Sequence, residues 1–110
     1  MRNLPLFFSA LADENRLRLL LLIGKGEVCV CHLQSVLQTN QPKISRHLAY
    51  LKRAGLVSAR RDGKWMHYRL GKLDAFQQKI LAETLHDLKR HAQIQRDLQR
   101  LKKILCCPGE

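Results

Sequence analysis

Cys31-His-Leu-Gln-Ser-Val-Leu-Gln-Thr-Asn40-Gln-Pro-Lys-Ile-Ser-Arg-His-Leu-Ala-Tyr-Leu-Lys-Arg-Ala-Gly55 is the stretch from which the fold is read. It holds two helical periods separated by three polar residues. Leu33, Val36 and Leu37 share one face of a helix over 31–37, and Ile44, Leu48 and Leu51 share one face of a second over 41–54. Cys31 stands where a capping box has Ser or Thr, with Gln34 three residues on. Gln38-Thr39-Asn40 makes the turn. Thr39 or Asn40 caps the second helix, Pro42 is tolerated in its first turn, and Gly55 closes it. Two helices joined this tightly predict a helix-turn-helix, whose second helix enters the major groove of DNA with its N-terminal residues on the bases.

Outward from that unit, Leu56 to Arg61 and Lys64 to Leu70 read as strands joined by Asp62-Gly63, a hairpin turn signal. Met66, Tyr68 and Leu70 fall on one face, and Trp65, His67 and Arg69 on the other. Upstream, Leu4, Phe7, Phe8 and Leu11 predict a helix over roughly 5–11. Asp13 caps the next, with Glu14 in its first turn, and Gly24 ends it. Downstream, the apolar stripe from Phe76 to Leu105 predicts one helix over 74–105, about 45 Å long at the α-helical rise, with the shift in spacing between Leu88 and Ile94 marking a bend or the end of the dimer contact. A domain this small cannot cover such a stripe, so a partner helix is expected, with a homodimer through the terminal helices. Residues 1–105 form one mainly α domain with a small β-wing, and 106–110 a flexible tail.

The charge supports this reading. Of a net charge of +11, +7 lies in the 31 residues 41–71, where Lys43, Arg46, Lys52, Arg53, Arg60, Arg61, Lys64 and Arg69 face only Asp62. Such a patch calls for a polyanion. With aromatics at 5%, a stacking platform for single strands is not expected, and duplex DNA is the partner. Gln41, Ser45, Arg46 and His47 are placed for base contacts, Lys43 or Lys52 for phosphates. Arg60, Arg61 and Lys64 at the wing tip suit a phosphate or the minor groove.

The segment Glu27-Val-Cys-Val-Cys-His-Leu33 adds soft-ligand chemistry beside the reading unit. Neither a signal peptide nor a membrane span is visible, so a cytoplasmic location with reduced thiols is expected. There, four cysteines suggest metal or redox chemistry more than a disulfide framework. Cys31 at a helix N-terminus is expected to hold a stabilised thiolate. Residues i and i+2 point about 200° apart on a helix but to one side on extended chain. If Cys29 and Cys31 chelate one atom, the first turn of helix 31–37 must be extended or become so. The bland alternative makes both thiols small buried hydrophobes.

Two segments carry a family resemblance: Gln41-Pro-Lys-Ile-Ser-Arg-His-Leu-Ala-Tyr-Leu-Lys-Arg-Ala-Gly-Leu-Val57 and Gly63-Lys-Trp-Met-His-Tyr-Arg-Leu70. Together with Leu11-Ala-Asp-Glu-Asn-Arg-Leu-Arg-Leu-Leu20, they resemble the ArsR/SmtB winged-helix repressors. That resemblance implies a homodimeric repressor of operator DNA, released by an inducer. Glu27 to Leu33 resembles the thiolate site of the arsenical-resistance operon repressors within that family, which implies As(III) or Sb(III) as inducer, held by Cys29 and Cys31. The third cysteine of that pattern is Gln34 here. Cys106 and Cys107 can supply the missing ligand, chelate arsenic themselves, or do neither.

The rivals are a Cd(II)- or Pb(II)-responsive repressor, a thiol-redox sensor of the same fold, a constitutive architectural DNA binder and a metalloid carrier. Residues 1–8 lack the cysteines that cadmium and lead sensors of the family add, and Asp74-x-Phe76 lacks the histidine of its zinc sensors. An architectural role leaves Cys29 and Cys31 unexplained, and a carrier leaves the wing and reading helix unexplained. An enzyme is not expected, since no paired carboxylates, nucleophile elbow or phosphate loop is present.

Overall fold

A computed structural model describes residues 3–106, and of Cys106 the backbone only. Its centre is helix α2 (Glu14–Ile23), which follows α1 (Leu4–Leu11). Leu19, Leu20, Leu21, Leu22 and Ile23 are all buried, so the last half of α2 is apolar all round and lies inside. Asp13, in extended conformation, caps α2 by accepting from the Arg16 amide at 3.1 Å. Arg16 in turn caps α1. Its Nε donates to the Ala10 carbonyl at 2.9 Å and its Nη2 to that of Ser9 at 3.0 Å, where a helix C-terminus favours a cation.

Strand β1 (Val28–Cys29) and helix α3 (Val30–Leu37) come next, then α4 (Gln41–Arg53). The turn between the helices is made by Gln38 in left-handed conformation, φ +54, and by Asn40, whose side chain accepts from the Lys43 amide at 3.0 Å. Ile44, Leu48 and Leu51 bury one face of α4 against α2 and α3. Each such leucine contributes about 1.5–3 kcal/mol by leaving water. Gly55, at φ +80, lets the chain leave α4 for the wing.

The wing is β2 (Val57–Asp62) and β3 (Trp65–Leu70), with the sheet ordered β1-β3-β2 and antiparallel throughout. Asp62 pairs with Trp65, so the two-residue turn is Gly63-Lys64, one residue later than expected. Gly63 has φ +64 at the first central position, where hairpin twist asks for glycine.

The expected single helix over 74–105 is two, α5 (Ala75–Leu88) and α6 (Ala92–Cys106). No glycine or proline marks the break. Its cause is the phase of the stripe: on a straight helix Ile94 would lie about 240° round from Leu88. Turning the chain at Lys89-Arg90-His91 brings Ile94 and Leu101 into the core, beside α2 and α3. Asp97 is buried with them, fully, and is bound bidentately by Arg18 at 2.8 and 2.9 Å and by Gln93 at 3.0 Å. Much of the stripe assigned to a partner helix is therefore covered from within the chain. Phe8 and Phe76 stay exposed and meet edge to face at 6.5 Å. Among the described residues, no helix is long and apolar enough to cross a membrane.

Candidate DNA-reading surface and thiol site

Helix α4 turns its polar side outward because Ile44, Leu48 and Leu51 hold the other side down. Gln41, Lys43, Ser45 and Arg46 are exposed in its first half, and Lys52 near its end. His47 is half-buried, with Nδ1 3.9 Å from the Asp13 carboxylate. Ala49 and Arg53 are exposed too and lie on one ridge with Ser45 and Arg46. Sequence reasoning left Ala49 and Arg53 out of the surface, although their spacing of i+4 and i+7 or i+8 signals it. Tyr50 fixes the helix from behind: its hydroxyl donates to Ser9 Oγ at 2.9 Å, and the Arg16 guanidinium lies 4.1 Å from its ring centre.

On the wing, Arg61 and Lys64 are exposed at the tip, and Lys64 lies 5.3 Å from the Trp65 ring centre. Arg60 differs from the free tip cation expected. It stands further down β2, across from His67, and forks onto Glu27 with Nη2–Oε1 at 2.6 Å and Nε–Oε2 at 3.2 Å. That pair holds the Glu27 carboxyl below its usual range. Glu27 precedes Cys29 by two residues, so the pair ties the wing to the cysteine segment.

Cys29 is the last residue of β1 and the N-cap of α3, with φ −71 and ψ 142. Cys31 sits in the first turn of α3, so the helix begins at Val30 and Cys31 is not its cap. Because Cys29 is extended, its side chain converges on that of Cys31, Sγ to Sγ at 2.9 Å, and no turn of α3 need open to bring them together. Both thiols are free, Cys29 buried and Cys31 half-buried. The thiolate expected at Cys31 is not favoured. Burial, and then the hydrogen bond to Cys29, push its pKa up to about 11 against the pull of the neighbouring amides.

Two convergent sulfurs suit a soft ion and fit no hard one. Among the described residues no group of three His, Cys, Asp or Glu side chains is placed to hold a metal ion. Cys106 ends α6, its side chain outside the described atoms, and Cys107 lies outside the described residues. A connection that sequence reasoning missed runs through the sheet: Cys29 pairs with His67 and Val28 with Tyr68 of the wing. Val28-Cys29-Val30 reads in the sequence as a short extended piece, but a strand of two residues carries no periodicity from which its partner could be read.

Residues 13–59 match a family described as bacterial regulatory protein, arsR family. The chain is 54% identical over 67 residues to an arsenic resistance transcriptional regulator of Pseudomonas putida, 60% of this chain but about half, 52%, of that protein. It is 51% identical over 79 residues to the arsenical resistance operon repressor of Escherichia coli, covering 70% of this chain and 68% of that one. Its fold is similar to the homodimeric winged helix-turn-helix domain of a possible ArsR-family regulator from Mycobacterium bovis. The TM-score there is 0.68 at 29% identity, over 82% of each chain.

Proposed function

The chain belongs to the arsR family of bacterial regulatory proteins, a DNA-binding transcriptional regulator and not an enzyme, and from that premise we propose that it represses a metalloid-resistance operon and leaves its operator when As(III) or Sb(III) binds Cys29 and Cys31. The observation that carries this reading is the 2.9 Å approach of the two thiols at the strand that pairs with the wing. The two thiols are already converged, and seating arsenic between them asks the sulfurs only to move apart from their 2.9 Å contact. Arsenous acid exchanges one hydroxide per thiol, and each thiol proton leaves in the water formed, so a protonated Cys31 is competent. Cys106 and Cys107 are the candidates for a third sulfur.

Release follows from placement. Cys29 belongs at once to the wing sheet and to the N-terminus of α3, the helix that supports α4. A ligand that resets the pair shifts wing and reading helix together. The operator is met twice, by a homodimer joined through α1 and α5, where Phe8 and Phe76 supply exposed aromatic area. Titration of operator binding against arsenite, antimonite, cadmium and zinc tests the reading. Release by the two metalloids is expected at concentrations where zinc and cadmium leave the complex intact. Release by cadmium alone would transfer the site to a divalent sensor. A monomeric mass in sedimentation at micromolar concentration would remove the dimer.

On DNA, Arg46 is proposed to read a base, with Gln41, Ser45 and His47 beside it, while Lys43, Lys52, Arg61 and Lys64 hold phosphates. Arg46→Ala should cost about 1–3 kcal/mol on the operator and little on unrelated duplex. Arg61→Ala/Lys64→Ala should weaken both alike and flatten the salt dependence by about two per protomer. Arg60→Ala removes the fork onto Glu27 as well as a cation, so its effect should include the response to arsenite. Equal losses on both duplexes for Arg46→Ala would show that another surface reads the bases.

A further inference from the structure

Resting on the reading that this chain binds duplex DNA, we infer that α6 is a second DNA-contacting element, its stripe of Arg96, Arg100 and Lys103 taking backbone phosphates beside the point where α4 enters the groove. The three cations recur at i, i+4 and i+7 and so share one flank of α6. Their field is not cancelled. The only acid of α6, Asp97, is fully buried and bound by Arg18 and Gln93.

The flank is held in place. Arg100 Nη1 donates to the Val36 carbonyl, in the last turn of α3, at 3.1 Å. Ser35, Gln38, Arg100, Lys103 and Ile104 line one shallow groove of about 300 Å³. Gln38 begins the turn that Asn40 closes as the cap of α4. The N-terminal end of a reading helix is the end nearest the bases. Arg100 and Lys103, beside the preceding turn, therefore stand over the neighbouring phosphates, and Arg96 continues the flank one helical turn back along α6. Arg96 and Lys103 are exposed, and Arg96 is within hydrogen-bond distance only of Gln93 Oε1, at 3.1 Å, among the described contacts. The opposite flank offers an internal comparison: Lys102 lies there with Lys25 beside an apolar groove of Leu98, Leu101 and Leu105, away from the turn.

The test is the salt dependence of operator binding by Arg96→Ala/Lys103→Ala, which spares the Arg100 anchor, with circular dichroism to confirm the fold. Each phosphate contact contributes a slope of about −0.9, so the double variant should be shallower by about two per protomer and weaker on operator and unrelated duplex alike. Arg96→Lys/Lys103→Arg should keep the slope, and Lys25→Ala/Lys102→Ala should match the wild type. A wild-type slope in Arg96→Ala/Lys103→Ala, or the same flattening in Lys25→Ala/Lys102→Ala, overturns the inference while leaving the repressor intact. Failure of the wild type to bind any duplex would take both down.

Discussion

Operator DNA should stay bound to the Cys29→Ser/Cys31→Ser protein at arsenite concentrations that strip it from the wild type. The argument is one of donor chemistry and position. Serine keeps the size of cysteine but offers a hard oxygen that does not hold trivalent arsenic at neutral pH. Each single serine variant should also lose release, because the remaining sulfur no longer has a second thiol converged on it. Basal operator affinity should change little, since neither thiol stands on the exposed ridge of α4. The tail is resolved by the same assay. Cys106→Ser/Cys107→Ser weakens the response only if the tail gives the sulfur absent at Gln34. Gln34→Cys, one helical turn from Cys31, should then partly restore it. If the tail gives that sulfur, X-ray absorption should count sulfur neighbours alone in the wild type and one sulfur replaced by oxygen in the tail variant; if it does not, both proteins should show the same mixed sulfur and oxygen shell. Release of Cys29→Ser/Cys31→Ser at the wild-type arsenite concentration would place the inducer elsewhere.

The second large effect is on stability. Asp97→Ala should destabilise the fold by about 3–5 kcal/mol, because it strands the largely buried Arg18 guanidinium without its carboxylate. A guanidinium keeps its proton at any working pH even without that carboxylate, so the charge cannot be shed to relieve the loss. The pair joins α2 to α6 and fixes where α6 lies on α3. Denaturant unfolding at fixed protomer concentration measures the cost. Arg18→Met/Asp97→Leu separates the loss of attraction from the stranding of charge: it should recover most of the stability, since an apolar pair of similar volume removes both desolvation penalties. A single-variant loss below about 1 kcal/mol would show that water reaches Arg18 and that α6 is held by its leucines alone.

Local chemistry was readable along the chain wherever a short stretch settles its own conformation. Asp13 and Asn40 cap the helices they precede because the bond closes within three residues. The faces of α3 and α4 follow from the 3.6-residue period, and the hairpin from a glycine that tolerates positive φ. Even its error was local, a turn displaced from Asp62-Gly63 to Gly63-Lys64. The basic run over 41–71 and the Cys29/Cys31 pair needed only residue identity and spacing.

Other features depended on what each segment meets. The break between α5 and α6 has no breaker residue. It exists because Arg18 and the core around α2 compete for Asp97, Ile94 and Leu101, and bending at Lys89-Arg90-His91 satisfies them. Cys31 keeps its proton because burial beside Cys29 outweighs a helix N-terminus, and burial is a property of the assembled fold. Arg60 is drawn onto Glu27 because β1 runs beside β3, bringing residues thirty-three apart into contact. The sequence by itself determined the two helices of the helix-turn-helix, the basic surface they carry and the presence of two closely spaced thiols, since those depend on period, capping and residue identity. Only the tertiary structure decided that the thiols sit in the wing's own sheet and that α6 rests against the reading turn, because strand register and helix docking are chosen by long-range burial that no local pattern encodes.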